Sequence, residues 1–392
     1  MVQHESMKAI MPLIDSYNRT IDYLRVSVTD RCNFRCVYCM PEEGAPVSHK
    51  SLILSFEEIE RLVRIAAGLG MTKIRLTGGE PLVRKDIGDL VTSIGAIPGL
   101  RDLSMTTNGS VLARHAASFA RSGLNRINIS LDTLRPERFA RIARRGDLAA
   151  VMDGITAAQQ AGLTPLKLNC VVMRGWNDDE VVDFARLTLT QPYDVRFIEL
   201  MPINWSQGDD GGVGMEAFFA LSAPAPEYRR DSNVTLYARP ELSTLDQKFQ
   251  LAASAPLGQL DATQMRRAFV PTQEMKTRIE AALGPLEPAE VQVNGPARSY
   301  RLPGACGTIG FISQITNDMC LTCNRLRLTA DGQLRPCLMA DGEVDLRTPL
   351  RKGATDSDIA DLFRMTVLHK PREHRLEDGK APVHRNMSQL GG

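Results

Sequence analysis

The sequence predicts an α/β fold in which crossover helices cover a parallel sheet. Six short segments are typical of strands: Leu24–Val28, Lys73–Thr77, Leu103–Thr107, Arg126–Leu131, Pro165–Met173 and Asp194–Leu200. Amphipathic stretches of helical periodicity lie between them, and such alternation is typical of βαβ units. Six units fit either a partial (β/α)6 barrel or an open doubly wound sheet. Their spacing alone does not choose between the two.

Two capping boxes mark where helices should begin. Ser55 is followed three residues later by Glu58, directly before the amphipathic run FEEIERLVRIAAGLG. Asn177 and Glu180 have the same spacing before VVDFARLTL. Because an N-cap side chain and an acidic N3 residue satisfy each other's backbone donors, we expect both pairs to start helices.

The chain divides into three parts by composition. Residues 1–205 contain the six predicted strands and form the expected barrel. Residues 206–270 are rich in Gly, Ala, Ser and Pro, and we predict an insertion with little regular structure of its own. Residues 271–392 begin with a predicted helix after Pro271, and Asp331-Gly332 between two alternating runs predicts a hairpin.

Composition narrows the class of partner. The 392 residues include 47 Lys plus Arg and 46 Asp plus Glu, a net charge of +1. That balance argues against bulk binding to nucleic acid or to a membrane surface. No apolar run reaches the roughly 18 residues of a membrane span, and the first twenty residues do not resemble a secretory signal. We therefore expect a cytoplasmic protein with neither nucleic acid nor membrane as a partner.

Three of the eight cysteines lie within eight residues, as Cys32-x3-Cys36-x2-Cys39. A [4Fe–4S] cluster normally takes four thiolates, so three would hold three irons and leave the fourth open to a small molecule. A zinc site with a distant fourth ligand is one alternative, and three unrelated buried thiols are another. The clustering of thiols in a chain without a secretory signal favours metal or cluster binding over disulfides.

A second group of three thiols lies near the end, as Cys320-x2-Cys323-x13-Cys337. The predicted hairpin would fold Cys337 back towards the other two. A second [4Fe–4S] cluster with its own open iron is the main hypothesis, and a zinc site completed by a distant ligand is the alternative. Cys170 and Cys306 are expected to be ordinary thiols.

Basic residues recur on one face of several predicted strands. Lys73 and Arg75 share a face of one strand, and Arg325 and Arg327 share a face of another. The other strand cations are Arg25, Lys167 and Arg196. Strands of a parallel sheet are buried under helices, so these charges would be costly without an anion. The pattern predicts an inward anion pocket that suits a nucleoside triphosphate, and no phosphate-binding P-loop is present.

Several motifs carry a family resemblance. Cys32-x3-Cys36-x2-Cys39, with Tyr38 before the last cysteine, resembles the radical S-adenosylmethionine (SAM) superfamily, as does TGGEP at Thr77–Pro81. Together with RINISLDTL, VVMRGWNDDE, RFIELMP, GTIGFIS, CNRLRLTADGQLRPCL and the final Gly-Gly, these motifs are similar to the GTP 3′,8-cyclase family of molybdenum cofactor biosynthesis. The resemblance covers most of the chain outside Ser206–Val270.

The resemblance implies a role for each matching residue. The implied ligands of the first cluster are Cys32, Cys36 and Cys39, and those of the second are Cys320, Cys323 and Cys337. The implied SAM contacts are Tyr38, Gly79, Ser130 and Met201. The implied GTP contacts are Arg25, Lys73, Arg75, Thr106, Lys167, Arg196, Arg325, Leu326 and Arg327. The implied catalytic residues are Arg25, Arg325, Arg327, Gly391 and Gly392.

The resemblance also implies the chemistry and the partners. A 5′-deoxyadenosyl radical would take hydrogen from the ribose C3′ of GTP, and C3′ would then bond to guanine C8. The implied fold is a partial (β/α)6 barrel with a C-terminal extension that carries the second cluster. The implied partners are a flavodoxin- or ferredoxin-like electron donor, a downstream cyclic pyranopterin monophosphate synthase and a second copy of the chain.

Two features depart from the family pattern, and two other functions compete with it. The long insertion replaces a short link, and Cys306 stands where related chains often have Lys. One competing hypothesis is a peptide-modifying radical SAM enzyme with an auxiliary cluster. The other is a non-catalytic iron–sulfur or zinc protein. The triphosphate-gripping Arg pair argues against the first, and two sites with three thiols each argue against a simple electron carrier.

Overall fold

The structure is a computed structural model of the whole chain. It describes residues 12–201, 203, 262–289, 295–316, 319–340, 342–374, 376 and 385–391.

One mixed sheet of twelve strands organises the described chain. The strands are β1 Tyr23–Ser27, β2 Lys73–Thr77, β3 Asp102–Thr107, β4 Arg126–Ser130, β5 Lys167–Val172, β6 Asp194–Glu199, β7 Glu287–Pro288, β8 Arg298–Arg301, β9 Thr308–Ile312, β10 Arg325–Leu328, β11 Gln333–Arg335 and β12 Val344–Asp345. Their order is β12-β11-β10-β1-β2-β3-β4-β5-β6-β9-β8-β7. The eight central strands, from β10 to β9, are parallel, and the outer pairs on both sides are antiparallel.

Helices cover one face of the parallel strands. The helices of the described chain are α1 Phe56–Gly68, α2 Ile87–Gly95, α3 Ala116–Arg121, α4 Pro136–Ala143, α5 Leu148–Gln160, α6 Val181–Thr190, α7 Ala262–Ala268, α8 Thr272–Leu283, α9 Arg347–Arg351, α10 Asp356–Leu368 and α11 Met387–Leu390. Those that connect β1 to β6, α1 to α6, belong to this layer. Leu24, Val26, Ile74 and Leu76 are fully buried against this layer. Because strand side chains alternate, the residues between them point to the opposite, concave face.

The six predicted strands are present within two residues of their predicted ends. The sequence did not reveal that β9 and β10 extend the parallel sheet at its two sides. β9 pairs with β6, and β10 pairs with β1, so the C-terminal region completes the barrel wall on both flanks. The predicted partial barrel with a C-terminal extension is therefore confirmed, with two more parallel strands than the sequence indicated.

The two predicted capping boxes have different outcomes. Ser55 Oγ accepts from Glu58 N at 3.2 Å, and Glu58 Oε2 accepts from Ser55 N at 2.7 Å, as expected. The Asn177–Glu180 box is wrong. The Asn177 side chain donates to the carbonyls of Asp132 and Val171, and Glu180 accepts from Thr133 Oγ1. Tertiary partners in the segment after β4 and in β5 replace the local cap.

The described parts of the C-terminal region agree with the predicted helix and hairpin. α8 begins directly after Pro271, and β10 and β11 pair antiparallel around the Asp331-Gly332 turn, where Gly332 has φ +81°. Most of the predicted insertion lies outside the described residues. Its described end differs from the expectation of little regular structure, because α7 is helical and Phe269 bridges to Met173. Within the described chain, no helix is long and apolar enough to cross a membrane.

Candidate functional site

Register places the predicted cations on the concave face of the sheet. Arg25 is level with Arg75 on one side and with Arg327 on the other. Thr106 is level with Asn128 on the next strand, and Asn128 is level with Lys167 on the strand after that. Arg196 is level with Asn169. The period-2 pattern that predicted a shared face is therefore confirmed for the strand cations. The barrel interior is lined by polar and charged side chains rather than by an apolar core.

Several buried polar atoms on this face have no hydrogen-bond partner among the residues that the structure describes. They include Thr106 Oγ1, Asn128 Oδ1, Asn169 Oδ1 and Asp194 Oδ1. A buried polar group without a hydrogen bond costs roughly 1–3 kcal/mol, so such atoms are rare in native interiors. Four of them on the concave faces of adjacent strands are what a site for a polar ligand would contain.

Four guanidinium groups, those of Arg25, Arg75, Arg325 and Arg327, lie close enough together in the interior to affect one another. Burial lowers the pKa of Arg25 to about 10, and Arg75 and Arg325 add to the effect. Burial and the neighbouring Arg25 and Arg325 also lower the pKa of Arg327. Like charges held together in a buried site favour a bound anion, because an anion relieves both the desolvation and the repulsion.

A second group of charges lies further along the sheet. Asp194 Oδ2 accepts from Lys167 Nζ at 3.1 Å and from Arg196 Nη2 at 2.6 Å, and all three side chains are almost completely buried. Burial, together with Arg196, lowers the pKa of Lys167 to about 7. Two cations share one carboxylate oxygen, which leaves this cluster with a net positive charge towards the interior. Arg75 lies close by, with its Nε 3.1 Å from Ser104 Oγ.

Two of the predicted GTP contacts are set apart from these groups. Lys73 begins β2 and pairs with Asp22 at 2.6 Å, beside a cavity of about 430 Å³ at the amino ends of β2, β3 and β4. Leu326 is fully buried in the apolar core on the helix side. Its side chain therefore cannot face the interior, and only its backbone is available to a ligand there.

The first group of thiols lies on a loop after β1. The Cys39 amide donates to the Cys36 carbonyl at 2.9 Å, and the Phe34 amide donates to Cys32 Sγ at 3.4 Å. Burial raises the pKa of Cys32 to about 11 and that of Cys39 to about 12, and each of these thiols raises the pKa of another. Three partly buried thiols close enough to repel one another as thiolates fit a positively charged cluster core, which would stabilise their deprotonated forms.

No group of three or more His, Cys, Asp or Glu side chains in the described chain converges on a point that could hold one metal ion. A cluster spreads its thiolates over several irons, so the thiols need not converge in that way.

Tyr38 is held by a buried carboxylate. Its hydroxyl donates to Asp132 Oδ2 at 2.8 Å, while Asp132 Oδ1 accepts from the Val171 amide at 2.9 Å. Burial raises the pKa of Asp132 to about 6. Because the phenol is committed to Asp132, the predicted SAM contact of Tyr38 falls to its ring or its backbone. The Asn177 amide group also donates to the Asp132 carbonyl at 2.6 Å, which ties the loop to β5.

The Gly-Gly segment after β2 packs directly against the cysteine loop. Gly79 N donates to Thr29 O at 2.7 Å, and Glu80 N donates to Arg31 O at 2.8 Å. A Cβ built on Gly79 would lie 2.6 Å from the Arg31 carbonyl carbon. Only glycine permits this approach. Ser130 ends β4 on the concave face, and half-buried Met201 packs near Leu390 and Cys337.

The second group of thiols surrounds the end of the β10–β11 hairpin. Cys323 and Cys337 are both close enough to Arg327 to raise its pKa, although burial lowers that pKa overall. Burial would raise the pKa of Cys323, but the charges of Arg325 and Lys370 lower it to about 6. Cys337 Sγ accepts from the Met339 amide at 3.4 Å. Cys337 and Cys323 thus both lie near Arg327, as the predicted hairpin requires, and the neighbouring cations favour the thiolate form of Cys323.

The C-terminal tail enters the same space. Arg25 Nη2 donates to Gly391 O at 3.0 Å, and Arg327 Nη1 donates to Leu390 O at 3.2 Å. Gly391 is buried, with φ +77°, and Gly392 lies outside the described residues. The predicted catalytic pair Arg25 and Arg327 is thus in direct contact with the tail.

Sequence reasoning missed several residues of this site. Asp132 and Asn128 were not singled out, although Asn128 shares the period-2 face of the cations. Glu80 is buried and accepts from Thr107 Oγ1 at 2.7 Å and Asn108 N at 2.6 Å, and burial raises its pKa to about 7. Only Asn128 carried a usable signal, because the partners of the two carboxylates are distant in sequence.

Two family profiles match the chain. The Radical SAM superfamily profile matches residues 26–188, and the Molybdenum Cofactor Synthesis C profile matches residues 251–376. The second match begins inside the predicted insertion.

The chain is also similar to curated proteins over nearly its whole length. It is 46% identical over 380 residues to the GTP 3′,8-cyclase of Moorella thermoacetica, covering 96% of this chain and 99% of that protein. It is 45% identical over 382 residues to the GTP 3′,8-cyclase of Heliobacterium modesticaldum, covering 97% of this chain and 100% of that protein.

Proposed function

This chain belongs to the GTP 3′,8-cyclase family, and we propose how its own residues carry out the family's reaction. It is a radical SAM enzyme that converts GTP to (8S)-3′,8-cyclo-7,8-dihydro-GTP, the first step of molybdenum cofactor biosynthesis. When bound, SAM and a reduced [4Fe–4S] cluster supply the 5′-deoxyadenosyl radical that takes hydrogen from the ribose C3′. The remaining work falls to the protein: it binds, orients and encloses the nucleotide.

One observation carries the assignment of the substrate site. Cations converge on the concave face of the sheet between the two groups of three thiols, beside buried polar atoms that lack partners. A triphosphate has several negative charges, which would pair with the cations, and many acceptor oxygens, which would accept hydrogen bonds from the donors among the unpartnered polar groups. In this arrangement Arg75, Lys167 and Arg196 hold the phosphates, and Thr106 donates to the sugar–phosphate region. Lys73 extends the positive surface towards the amino ends of the strands.

The first group of thiols holds the SAM cluster in this proposal. Cys32, Cys36 and Cys39 would hold the cluster through their thiolates, and the cluster would leave one iron available to SAM. Gly79 lets the backbone approach the methionine end, while Ser130 and Met201 line the remainder of the SAM site. The ring or backbone of Tyr38 contributes the last contact, because its hydroxyl is held by Asp132.

The second group of thiols holds a second [4Fe–4S] cluster in this proposal. Cys320, Cys323 and Cys337 supply three ligands, and the low pKa of Cys323 favours a thiolate there. An open iron on this cluster would bind the guanine base, close to Arg325, Arg327 and the Leu326 backbone. The nucleotide would then span the interior, with its base at one thiol group and its ribose towards the other.

Arg25 and Arg327 are the proposed catalytic residues nearest the reacting base, together with Arg325 and the terminal glycines. Forming the C3′–C8 bond leaves an unpaired electron on the guanine ring, and one further electron and a proton complete the product. The guanidinium groups would stabilise negative charge that develops during this reduction. The carbonyls of Leu390 and Gly391 orient Arg25 and Arg327 for that role.

The expected partners follow from the chemistry. Two electrons enter per turnover, one to cleave SAM and one to reduce the cyclised ring, so a flavodoxin- or ferredoxin-like donor is proposed. The product requires a separate cyclic pyranopterin monophosphate synthase. A cytoplasmic location and a homodimer complete the proposal.

The test is anaerobic reconstitution with iron and sulfide, followed by incubation with SAM, GTP and dithionite. We expect 5′-deoxyadenosine and an isomer of GTP by mass spectrometry. Deoxyadenosine without a GTP isomer would contradict the cyclase assignment and favour a peptide-modifying enzyme. Zinc in place of iron, with no deoxyadenosine, would favour the non-catalytic alternative.

The second cluster has a separate test. Two [4Fe–4S] clusters correspond to about eight irons per chain. Replacing Cys320, Cys323 and Cys337 together with Ala should lower the iron content to about four and retain the SAM cluster. The matched control is Cys306→Ala, an exposed thiol outside both groups, which should keep about eight. An unchanged iron content in the triple variant would refute the second cluster.

A further inference from the structure

The C-terminal tail is fastened to the protein at its described start. Arg385 donates through Nη1 and Nη2 to the two carboxylate oxygens of Asp331 at 3.0 Å each. It also donates to Glu343, from Nε at 2.5 Å and from Nη2 at 2.8 Å. All three side chains are mostly buried, with 16–21% exposed. A guanidinium that makes four such bonds is far better fixed than one in an ordinary surface pair.

One of the two carboxylates lies in the β10–β11 hairpin, and the other contacts a residue of it. Asp331 lies in the β10–β11 turn, and its pKa is lowered because Arg385 and Thr329 outweigh its burial. Glu343 precedes β12 and also contacts the guanidinium of Arg335, which is fully buried. The tail is therefore tied to the same hairpin that presents Arg325, Arg327 and Cys337.

From Arg385 the chain runs directly into the site. The Asn386 amide donates to Gln389 Oε1 at 2.9 Å, and Gln389 Nε2 donates to Pro46 O at 3.2 Å, beyond the first cysteine loop. Leu390 is buried next to Met201 and Cys337. The tail thus spans the space from the first thiol group to the second within a few residues of its anchor.

We propose that Arg385 is a positioning residue: through Asp331 and Glu343 it holds the tail so that the Leu390 and Gly391 carbonyls meet Arg327 and Arg25. Its kinetic consequence rests on the proposed function, because it acts on residues assigned to the reacting base. The anchor itself does not depend on the activity. It makes the position of the tail and the shape of the Arg325–Arg335 hairpin mutually dependent.

The first test measures hydrogen exchange in residues 386–391 on the purified protein without substrate. Arg385→Gln should raise the exchange rate of these amides by about tenfold or more, because the tail loses its anchor. Asp331→Asn should act in the same direction while keeping the turn, since Asn-Gly suits a tight hairpin as well as Asp-Gly does. The control is Arg364→Gln, which removes an exposed arginine that pairs only with Asp361 in the described contacts.

The second test measures GTP turnover by the reconstituted enzyme. We expect Arg385→Gln to lower kcat about tenfold and to leave the KM for GTP within about threefold, because the phosphates are held elsewhere in the interior. Arg385→Lys should recover part of kcat, since it keeps the charge and loses the planar fork. Iron content and thermal unfolding identify a variant that has merely lost its fold.

The outcomes distinguish a failure of the role proposed for Arg385 from a failure of the proposed cyclase function. Exchange in Arg385→Gln and Asp331→Asn equal to that in Arg364→Gln would overturn the anchoring role, whatever the activity. Faster exchange with unchanged kcat would overturn the positioning role. Wild-type protein that leaves GTP untouched would count against the proposed function, and the exchange measurement would still decide whether Arg385 anchors the tail.

Discussion

Replacing Gly79 with Ala should detach the Gly-Gly segment from the cysteine loop. The new Cβ would lie 2.6 Å from the Arg31 carbonyl carbon and 2.9 Å from the Asp30 carbonyl oxygen. Ordinary contact begins near 3.4 Å, so one backbone must retreat from the other by about 0.8 Å. Both contacts are backbone atoms, which cannot rotate away as a flexible side chain could.

The cost follows from the hydrogen bonds that such a shift would break. Gly79 N to Thr29 O and Glu80 N to Arg31 O measure 2.7 and 2.8 Å, and a displacement of this size moves each beyond bonding distance. Each lost bond with a buried partner costs about 1–2 kcal/mol. We therefore expect Gly79→Ala to lower the free energy of unfolding by about 2–4 kcal/mol, out of the roughly 5–15 kcal/mol typical of proteins.

The assay is urea unfolding, together with iron analysis after reconstitution. Gly88→Ala is the matched control, because no atom of the described residues lies within 4 Å of its added Cβ and because it lies inside α2. That variant should be as stable as the wild type or gain about 0.5–1 kcal/mol. Gly79→Ala should also lose the iron of the first cluster, about four per chain. Equal urea midpoints and equal iron contents in the two variants would refute the close-approach argument.

Three further predictions concern single groups of the site. Burial lowers the pKa of Lys167 to about 7 in the free protein, from an ordinary value near 10.5. GTP binding above pH 7 should therefore take up a proton, and the affinity for GTP should weaken as the pH rises to 8.5. Calorimetry in two buffers of different ionisation enthalpy measures the proton uptake, and its absence would contradict the prediction. In Gly391→Ala the new side chain would have to adopt a φ of +77°, and its Cβ would lie 2.6 Å from Thr77 Oγ1. The kcat should therefore fall at least tenfold while the iron content stays unchanged. A wild-type kcat would contradict this prediction. Asp132→Asn should shift the electron paramagnetic resonance spectrum of the reduced first cluster, because it removes a buried carboxylate near the cysteines. Tyr38→Phe keeps that charge and should shift the spectrum less. Equal spectra in both variants would contradict the electrostatic argument.

The fold and much of the candidate site could be predicted from the sequence because both depend on short-range patterns. Strand alternation indicated that Arg25, Arg75 and Arg327 share a face, and the spacing of the cysteines indicated two groups of three thiols. Whether both groups hold clusters, and which residues touch GTP, remain predictions. Leu326 was implied as a GTP contact by the resemblance alone. The alternation that places Arg325 and Arg327 on the inner face places the Leu326 side chain on the helix side, where it is fully buried.

Contacts between distant residues were not predictable in the same way. Asn177 had the spacing of a helix cap, yet it bonds to Asp132 and Val171, whose positions depend on the assembled sheet. Arg385 likewise finds Asp331 and Glu343 across more than forty residues. Such pairings depend on the register of the whole sheet, which no local pattern encodes.

The pairing of β1 with β10 has a consequence for how the chain is made. Arg25 lies level with Arg327, a separation of 302 residues along the chain. At a synthesis rate of about 5–20 residues per second, the edge of β1 stays uncovered for roughly 15–60 s after it emerges from the ribosome. An unpaired strand edge invites pairing with other chains, so a nascent or truncated chain that stops before β10 should be prone to aggregate. The last part of the polypeptide thus covers the open edge of β1 as well as forming a wall of the finished barrel.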